Sequence, residues 1–345
     1  MKKKYLNCIL RTEKLDIMSE ITHEISLENF HHQINWAIKN YCPHGLSSSA
    51  FSNIVIGGLG GSGIGGRIAR LALINEFPIP IEVFSAYSLP GYVNQKTLVI
   101  LCSYSGNTEE TLSMYAEAKQ KGCSIICIAS GGKIMQQAQD DNIPCYRIET
   151  GYQPRMALGY SLTTLLLMLS EIAGTDAKNE LSKSADMLMQ NDALKQEARK
   201  ISDFFSSTIN DKFVVVCDPE FEAVAIRFCQ QIQENAKGES FVTVLPEANH
   251  NVIESYHESH KTNFILLNSG DNGRTNLRFQ FLKKVLEERN NRIYSFAESG
   301  AGIQRLFEVI HVLDWVSIYA SNMRNANNMR VDIIMRLKGF LDAAK

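Results

Sequence analysis

No CxxC pair occurs among the eight cysteines of this 345-residue chain, which stand at positions 8, 42, 102, 123, 127, 145, 217 and 229. Such scatter excludes the regular spacing of a disulfide framework in a small secreted domain. Several cysteines sit in apolar, strand-like runs (ILCSY, SIICIA, VVVCD), where a free thiol behaves as a small hydrophobe. The expectation is therefore buried, reduced thiols in a cytoplasmic protein. Long apolar runs are also missing: none approaches the ~20 residues of a membrane span. The YLNCIL segment after Lys2–Lys4 is too short for a secretory core. Positive charge is scarce too. A net charge of −2, with no polybasic block beyond those three lysines, leaves no electrostatic grip for nucleic acid. What remains is an ordinary composition, 45% hydrophobic and 21% charged, long enough for about two domains of roughly 150 residues.

Residues 15–45 read as helix, followed by a serine-rich joint at Ser47–Ser49. From Ser52 onward, short β-branched runs alternate with longer helical ones: NIVIG, IEVFS, TLVILCS, SIICIAS and CYRIE. That alternation predicts a parallel sheet covered by helices. The segment 162–172 (LTTLLLMLSEI) is apolar nearly all round and is expected between layers. A polar tract, Gly174–Lys200, carries its own helix, and then the plan restarts with KFVVVCD, FVTVLPEA, FILLNS and RIYSFAE. Long helices are expected around 306–323 and 331–343. The fold class is α/β, with two doubly wound domains, each a parallel sheet flanked by helices. The domain edges are placed at 1–45 for an N-terminal helical segment, 46–185 and 186–345.

Two loops of the first half carry chemistry. GGLGGSGIGG, 57–66, follows the run NIVI, precedes a helical RIARLALI, and contains the spacing Gly58-x-Gly60-x-x-Gly63 of a dinucleotide fingerprint. That reading needs a ribose-binding acid at the end of the next strand; Glu82 instead lies inside IEVFS. The better phosphate loop is CSYSGNTEETL, where Ser103, Ser105 and Thr108 crowd beside Gly106 ahead of a helix over 108–121, stopped by Gly122. A helix N-terminus offers unpaired N–H groups and partial positive charge, and each hydroxyl can donate one further bond. Lysine and arginine are absent there, so neutral donors must hold the phosphate. The plainer alternative is a well-capped helix, with Asn107 as cap and Glu110 completing a capping box. Ser62 adds a fourth hydroxyl facing the same crevice, with Gly60 and Gly61 bringing backbone close to the ligand.

In order along the chain, GGLGGSG, CSYSGNTEETL, QPRMALGYS, QIQENAKG, LPEANHN, DWVSIYAS and the final IIMRLK resemble the motifs of the bifunctional phosphoglucose/phosphomannose isomerase family, built from sugar isomerase (SIS) domains. The resemblance spans roughly residues 45–345. It implies interconversion of aldose and ketose hexose 6-phosphates without metal or other cofactor. It also implies that Ser62, Ser103, Ser105 and Thr108 bind phosphate, that Arg155 lies near the reacting carbons, and that Glu234 is the catalytic base. His250 becomes the ring-opening histidine, contributed across the interface of a homodimer, and Lys338 the C-terminal active-site lysine. The family's DP-x-P-like turn before the last helix is replaced by SNMRNANNMRVD.

The residue types suit that chemistry. Moving a proton between C2 and C1 of an open-chain sugar takes one base serving both carbons, and a partly buried carboxylate can do it. Enediolate charge needs a fixed cation, which Arg155 supplies. By periodicity alone, Glu234 falls off the apolar stripe Phe221, Val224, Phe228 and Ile232, on the face of Arg227 and Gln230, as a solvated glutamate would. Arg155 could equally be a surface arginine at a turn, His250 an exposed loop histidine, and Lys338 a lysine on an amphipathic helix. Three rivals to the isomerase are carried forward. One is a non-catalytic sugar-phosphate sensor, which needs no base. The second is a dinucleotide oxidoreductase. The third is a metal site at His257-x-x-His260 with Glu254 and Glu258, which lacks a third clear ligand.

Overall fold

The computed structural model describes residues 21–344. Contacts group the chain into two units: the first gathers Ile25–Asn191 with Gly302–Glu308, the second Thr22–Glu24, Asp192–Ala301 and the chain from Val309.

The first unit is built on a parallel sheet of β1 (Asn53–Gly58), β2 (Ile81–Phe84), β3 (Thr97–Cys102), β4 (Ser124–Ala129) and β5 (Cys145–Arg147), in the order β2-β1-β3-β4-β5. Every residue of β3 is buried, because helices cover both faces of the sheet and an apolar run has no solvent side to avoid. On one face Val55, Val99 and Leu101 pack with Met114, Tyr115 and Ile134, from the helices Glu109–Gln120 and Gly132–Asp140. The helix Leu158–Ala173 is buried almost throughout, as its all-round apolarity predicts. Glu82 sits second in β2, away from the strand end where a ribose-binding acid belongs.

The expected N-terminal helix is two helices, His23–Glu28 and Phe30–Asn40, interrupted at Asn29; positions 15–20 of that expectation lie outside the described residues. Beyond Asn40 the chain is held by one carboxylate. Glu171 accepts from the Tyr41 hydroxyl and from the backbone N–H groups of His44 (3.2 Å) and Gly45 (2.6 Å). Burial holds the His44 imidazole below its ordinary value, and its Nδ1 accepts from the Leu46 N–H at 3.0 Å.

Six cysteines, at 102, 123, 127, 145, 217 and 229, are free. Cys42 is disulfide-bonded, which corrects the all-reduced expectation. Strand burial applied to the cysteines of the apolar runs, whereas Cys42 lies in the half-buried loop after a helix.

The second unit repeats the plan with β6 (Lys212–Cys217), β7 (Ser240–Val244), β8 (Thr262–Leu267) and β9 (Arg292–Ser295), all parallel and ordered β7-β6-β8-β9. Val216, Phe264 and Leu266 pack against Phe279, Leu282 and Leu286 of the helix Gly273–Glu288. Phe205, Phe213 and Phe228 meet edge to face at 5.5 and 5.8 Å. The helices Ile303–Met323 and Asp332–Ala343 match the expected long C-terminal helices within a few residues. Among the described residues no helix is long and apolar enough to cross a membrane.

Candidate active site

In the first unit, strand order reverses at β1, whose neighbours are β2 and β3. Open α/β sheets bind ligands outside the carboxyl ends of their strands at such a point. Only Leu59 separates β1 from its helix, which starts at Gly60 and runs to Leu73. The sequence suggested a glycine loop with the helix beginning near Arg67; the glycines instead form the helix's first two turns. The reason is crowding. A side chain at Gly61 would sit 2.8 Å from the backbone N of Arg155, so backbone here lies directly on the Pro154–Met156 turn.

Ser62 and Ser103 line one crevice, together with Tyr104, Pro154 and Ser161. The Ser62 hydroxyl accepts from the Tyr104 N–H at 3.0 Å. Ser103 and Thr108 share a hydrogen bond of 2.9 Å, and Ser103 Oγ also accepts from the Gly106 N–H at 3.1 Å. Ser105 is exposed, its oxygen accepting from the Asn107 N–H at 3.3 Å. Gly106 has φ +68°, and a Cβ there would lie 1.9 Å from the Gly131 carbonyl oxygen. A side chain is excluded both by the left-handed backbone and by this contact.

The helix after this loop runs Glu109–Gln120 with Thr108 as N-cap and no side-chain cap bond. Asn107 is therefore not the cap. Its Oδ1 accepts from the Lys133 N–H at 3.0 Å, tying the loop to the next helix, while the Thr108 side chain makes no cap bond. That arrangement suits an anion better than a closed capping box. The Gly122 stop stands, with φ +70°.

Arg155 is 4% exposed, within the 3₁₀ turn Pro154–Met156, which removes the alternative of a surface arginine. Tyr104 is a crevice residue that the sequence did not single out. Its hydroxyl donates to the Glu149 carbonyl and accepts from the Tyr152 N–H, both at 2.9 Å, and burial pushes it up to about 12. Ser161 was also missed, although it lies in the quoted QPRMALGYS motif. The signal was there: Ala157 and Ser161 stand four apart, on one helical face, and both line the crevice.

The corresponding strand ends of the second unit carry opposite chemistry. Asp218, just past β6, is buried and accepts from the Ser269 N–H at 2.6 Å. Burial raises its carboxyl, and Asp271 adds repulsion. A buried carboxylate stands at this strand end where hydroxyls stand at the first, so a phosphate is disfavoured here.

Glu234 is half-buried, at the centre of a five-residue π-turn, Ile232–Ala236, that continues the helix Glu222–Gln231. Arg227, expected on the same open face, is buried and paired with Asp314 through Nη2–Oδ2 at 2.6 Å. The α-periodicity behind the solvated-glutamate alternative stops before Glu234, since a π-turn holds an extra residue. His250 is exposed at the end of the short 3₁₀ turn Glu247–His250, which follows a cis Leu245–Pro246 bond. Lys338 stands on the helix Asp332–Ala343, exposed along its whole length, with Ile333, Leu337 and Phe340 open to solvent. The proline-free segment ahead of it turns on asparagine: Asn325 is left-handed, and Asn327 Oδ1 accepts from the N–H groups of Met329 and Arg330.

His257 and His260 do not share a helix face. The 3₁₀ segment ends at His257, and His260 Nε2 lies 2.6 Å from the Ser255 carbonyl. Among the described residues no group of three or more His, Cys, Asp or Glu could hold a metal.

Residues 48–171 match the SIS domain, and residues 194–341 match the bacterial phospho-glucose isomerase C-terminal SIS domain. The chain is 33% identical over 321 residues to a bifunctional phosphoglucose/phosphomannose isomerase of Aquifex aeolicus, covering 90% of this chain and 96% of that protein. It is also 33% identical to one of Caldicellulosiruptor bescii, over 87% of this chain and 92% of that protein. Among solved structures, the C-terminal domain of glucosamine-fructose-6-phosphate aminotransferase from Francisella tularensis superposes with a TM-score of 0.69 at 14% identity, covering 92% of this chain and 99% of that one. The two sheets with their flanking helices are thus two SIS domains.

Proposed function

The chain belongs to the bifunctional phosphoglucose/phosphomannose isomerase family, and from that premise we propose that it interconverts glucose 6-phosphate and mannose 6-phosphate with fructose 6-phosphate. The reaction runs through a cis-enediol without a metal. One observation carries the reading: in a chain of this family, Ser62 and Ser103 line one crevice at the strand ends, beside two helix N-termini with no side-chain cap bond. The phosphate is held there by neutral donors. Ser103 and Thr108, which now bond each other, turn their hydroxyl protons outward to its oxygens, and Ser62, Ser105 and the helix N–H groups complete the set. Gly60 and Gly61 let backbone approach the sugar.

With the phosphate anchored, the sugar ring is opened by His250 as proton donor and acceptor, assisted by Lys338. Glu234 then removes the C2 proton and returns it to C1, and the permanently charged Arg155 stabilises the enediolate oxygen. A sensor of sugar phosphates would keep the hydroxyl loop and need none of this second set. A coupled assay with each aldose 6-phosphate, repeated in EDTA, tests the reading. Turnover of both substrates, unchanged by chelation, is expected. Binding without turnover would favour the sensor, and activity lost to EDTA and restored by a divalent metal would overturn the metal-free mechanism. Binding of NAD(P)H with no response to hexose phosphates would favour the oxidoreductase.

The active form is proposed to be a homodimer in which His250 serves the partner's site. Its exposure, and the open apolar face of Ile333, Leu337 and Phe340, support that arrangement, since contiguous exposed apolar surface marks interaction sites. Sedimentation is expected to give a dimer that Phe340→Asp weakens; a monomer with full activity would refute it.

A further inference from the structure

We infer that Asn235 is a positioning residue that holds the π-turn, and with it Glu234, through Ser317. The inference rests on the reading of Glu234 as the base, and its physical basis lies wholly in the second unit. A π-turn carries one residue more than the α-helix it interrupts and persists where its surroundings hold it.

The holding contacts are specific. Asn235 is fully buried, and its Nδ2 donates to Ser317 Oγ at 2.9 Å. The Ser317 hydroxyl proton is already given to the Asp314 carbonyl at 2.6 Å, so Oγ faces Asn235 with a lone pair, which fixes the orientation of the amide. The Asp314 carboxylate in turn grips Arg227, with Nε 3.1 Å from Oδ1 and Nη2 2.6 Å from Oδ2. The helix Glu222–Gln231 is thereby fastened to the helix Ile303–Met323 once before the turn and once within it. A third fastening lies at the exit. Lys237, in the left-handed conformation at φ +56°, donates through Nζ to the carbonyl of Glu234 itself and to that of Arg330 at 2.6 Å.

If the turn relaxed to α-helical register, Asn235 would leave Ser317 and Glu234 would rotate toward the side occupied by buried Arg227. A displacement near 1 Å at a reacting group costs about 10²-fold. Asn235→Ala and Ser317→Ala should therefore each lower kcat by about 10²-fold while KM for glucose 6-phosphate stays within about threefold. Because the two residues act as one unit, the double variant should be no slower than either single, and Ser317→Thr, which keeps the hydroxyl, should restore kcat. Deuterium exchange at the amides of 232–238 should quicken in both alanine variants and stay at the wild-type rate in Glu234→Gln.

Wild-type exchange in Asn235→Ala would overturn the inference. So would quickened exchange with undiminished kcat in a protein that Glu234→Gln inactivates. Normal turnover by Glu234→Gln would instead defeat the reading of the base, and exchange alone would then decide whether Asn235 holds the turn.

Discussion

Glu234→Gln is expected to lower kcat by about 10²–10⁴-fold or more while glucose 6-phosphate still binds, because it removes a general base without changing the shape of the side chain. The proposed phosphate contacts belong to Ser62, Ser103 and Thr108, so KM should move little. The sharper measurement is isotopic. In deuterated water the wild-type enzyme should exchange label into the migrating position of the sugar, because a proton held on a carboxylate can be lost to solvent between the two carbons. The amide variant should lose exchange along with turnover. Normal kcat in a folded Glu234→Gln enzyme would sink the mechanism.

Arg227→Ala is expected to destabilise the second unit by about 3–5 kcal/mol, the usual cost of leaving one partner of a buried ion pair without the other. Arg227 and Asp314 are 3% and 1% exposed, so solvent screens neither. Burial raises the Asp314 carboxyl, and Arg227 partly offsets this. Without the arginine the carboxyl rises further and takes up a proton in the folded state. A carboxyl whose folded value lies above its unfolded one loses stability as pH rises through that interval. The variant should therefore lie furthest below wild type at neutral and alkaline pH and closest to it in mild acid. Urea unfolding across pH measures both parts. Arg227→Met with Asp314→Leu should recover much of the loss, since apolar replacement of a whole buried pair is often nearly neutral. A single variant within about 1 kcal/mol of wild type would show that the pair is not a structural fastening.

Much of the fold was legible because its signal is local and periodic. β-branched runs spaced by helical ones predict parallel sheets, and the strands from Asn53 to Arg147 and from Lys212 to Ser295 fall where those runs lie. The hydroxyls of Ser103 and Thr108 meet for the same reason: residues five apart in a strand–helix turn remain neighbours in space. The helix start at Gly60 is hidden in the sequence because glycine has low helix propensity. Close backbone approach to Pro154 and Arg155 overrode that tendency.

The departures share one cause. Asn107 has the right spacing to cap its helix, yet it serves Lys133, twenty-six residues away. Arg227 has the periodicity of an open face, yet Asp314, eighty-seven residues on, draws it into the interior. By itself the sequence determined the SIS architecture, the family and the residue types offered for chemistry, since these rest on near-neighbour pattern and ordered motifs. Only the tertiary structure decided that the helix ahead of Glu234 ends in a π-turn and that Asn235 within it bonds Ser317. Those choices come from hydrogen bonds between distant segments in a buried setting, where an unmet polar group is costly, and no local period records them.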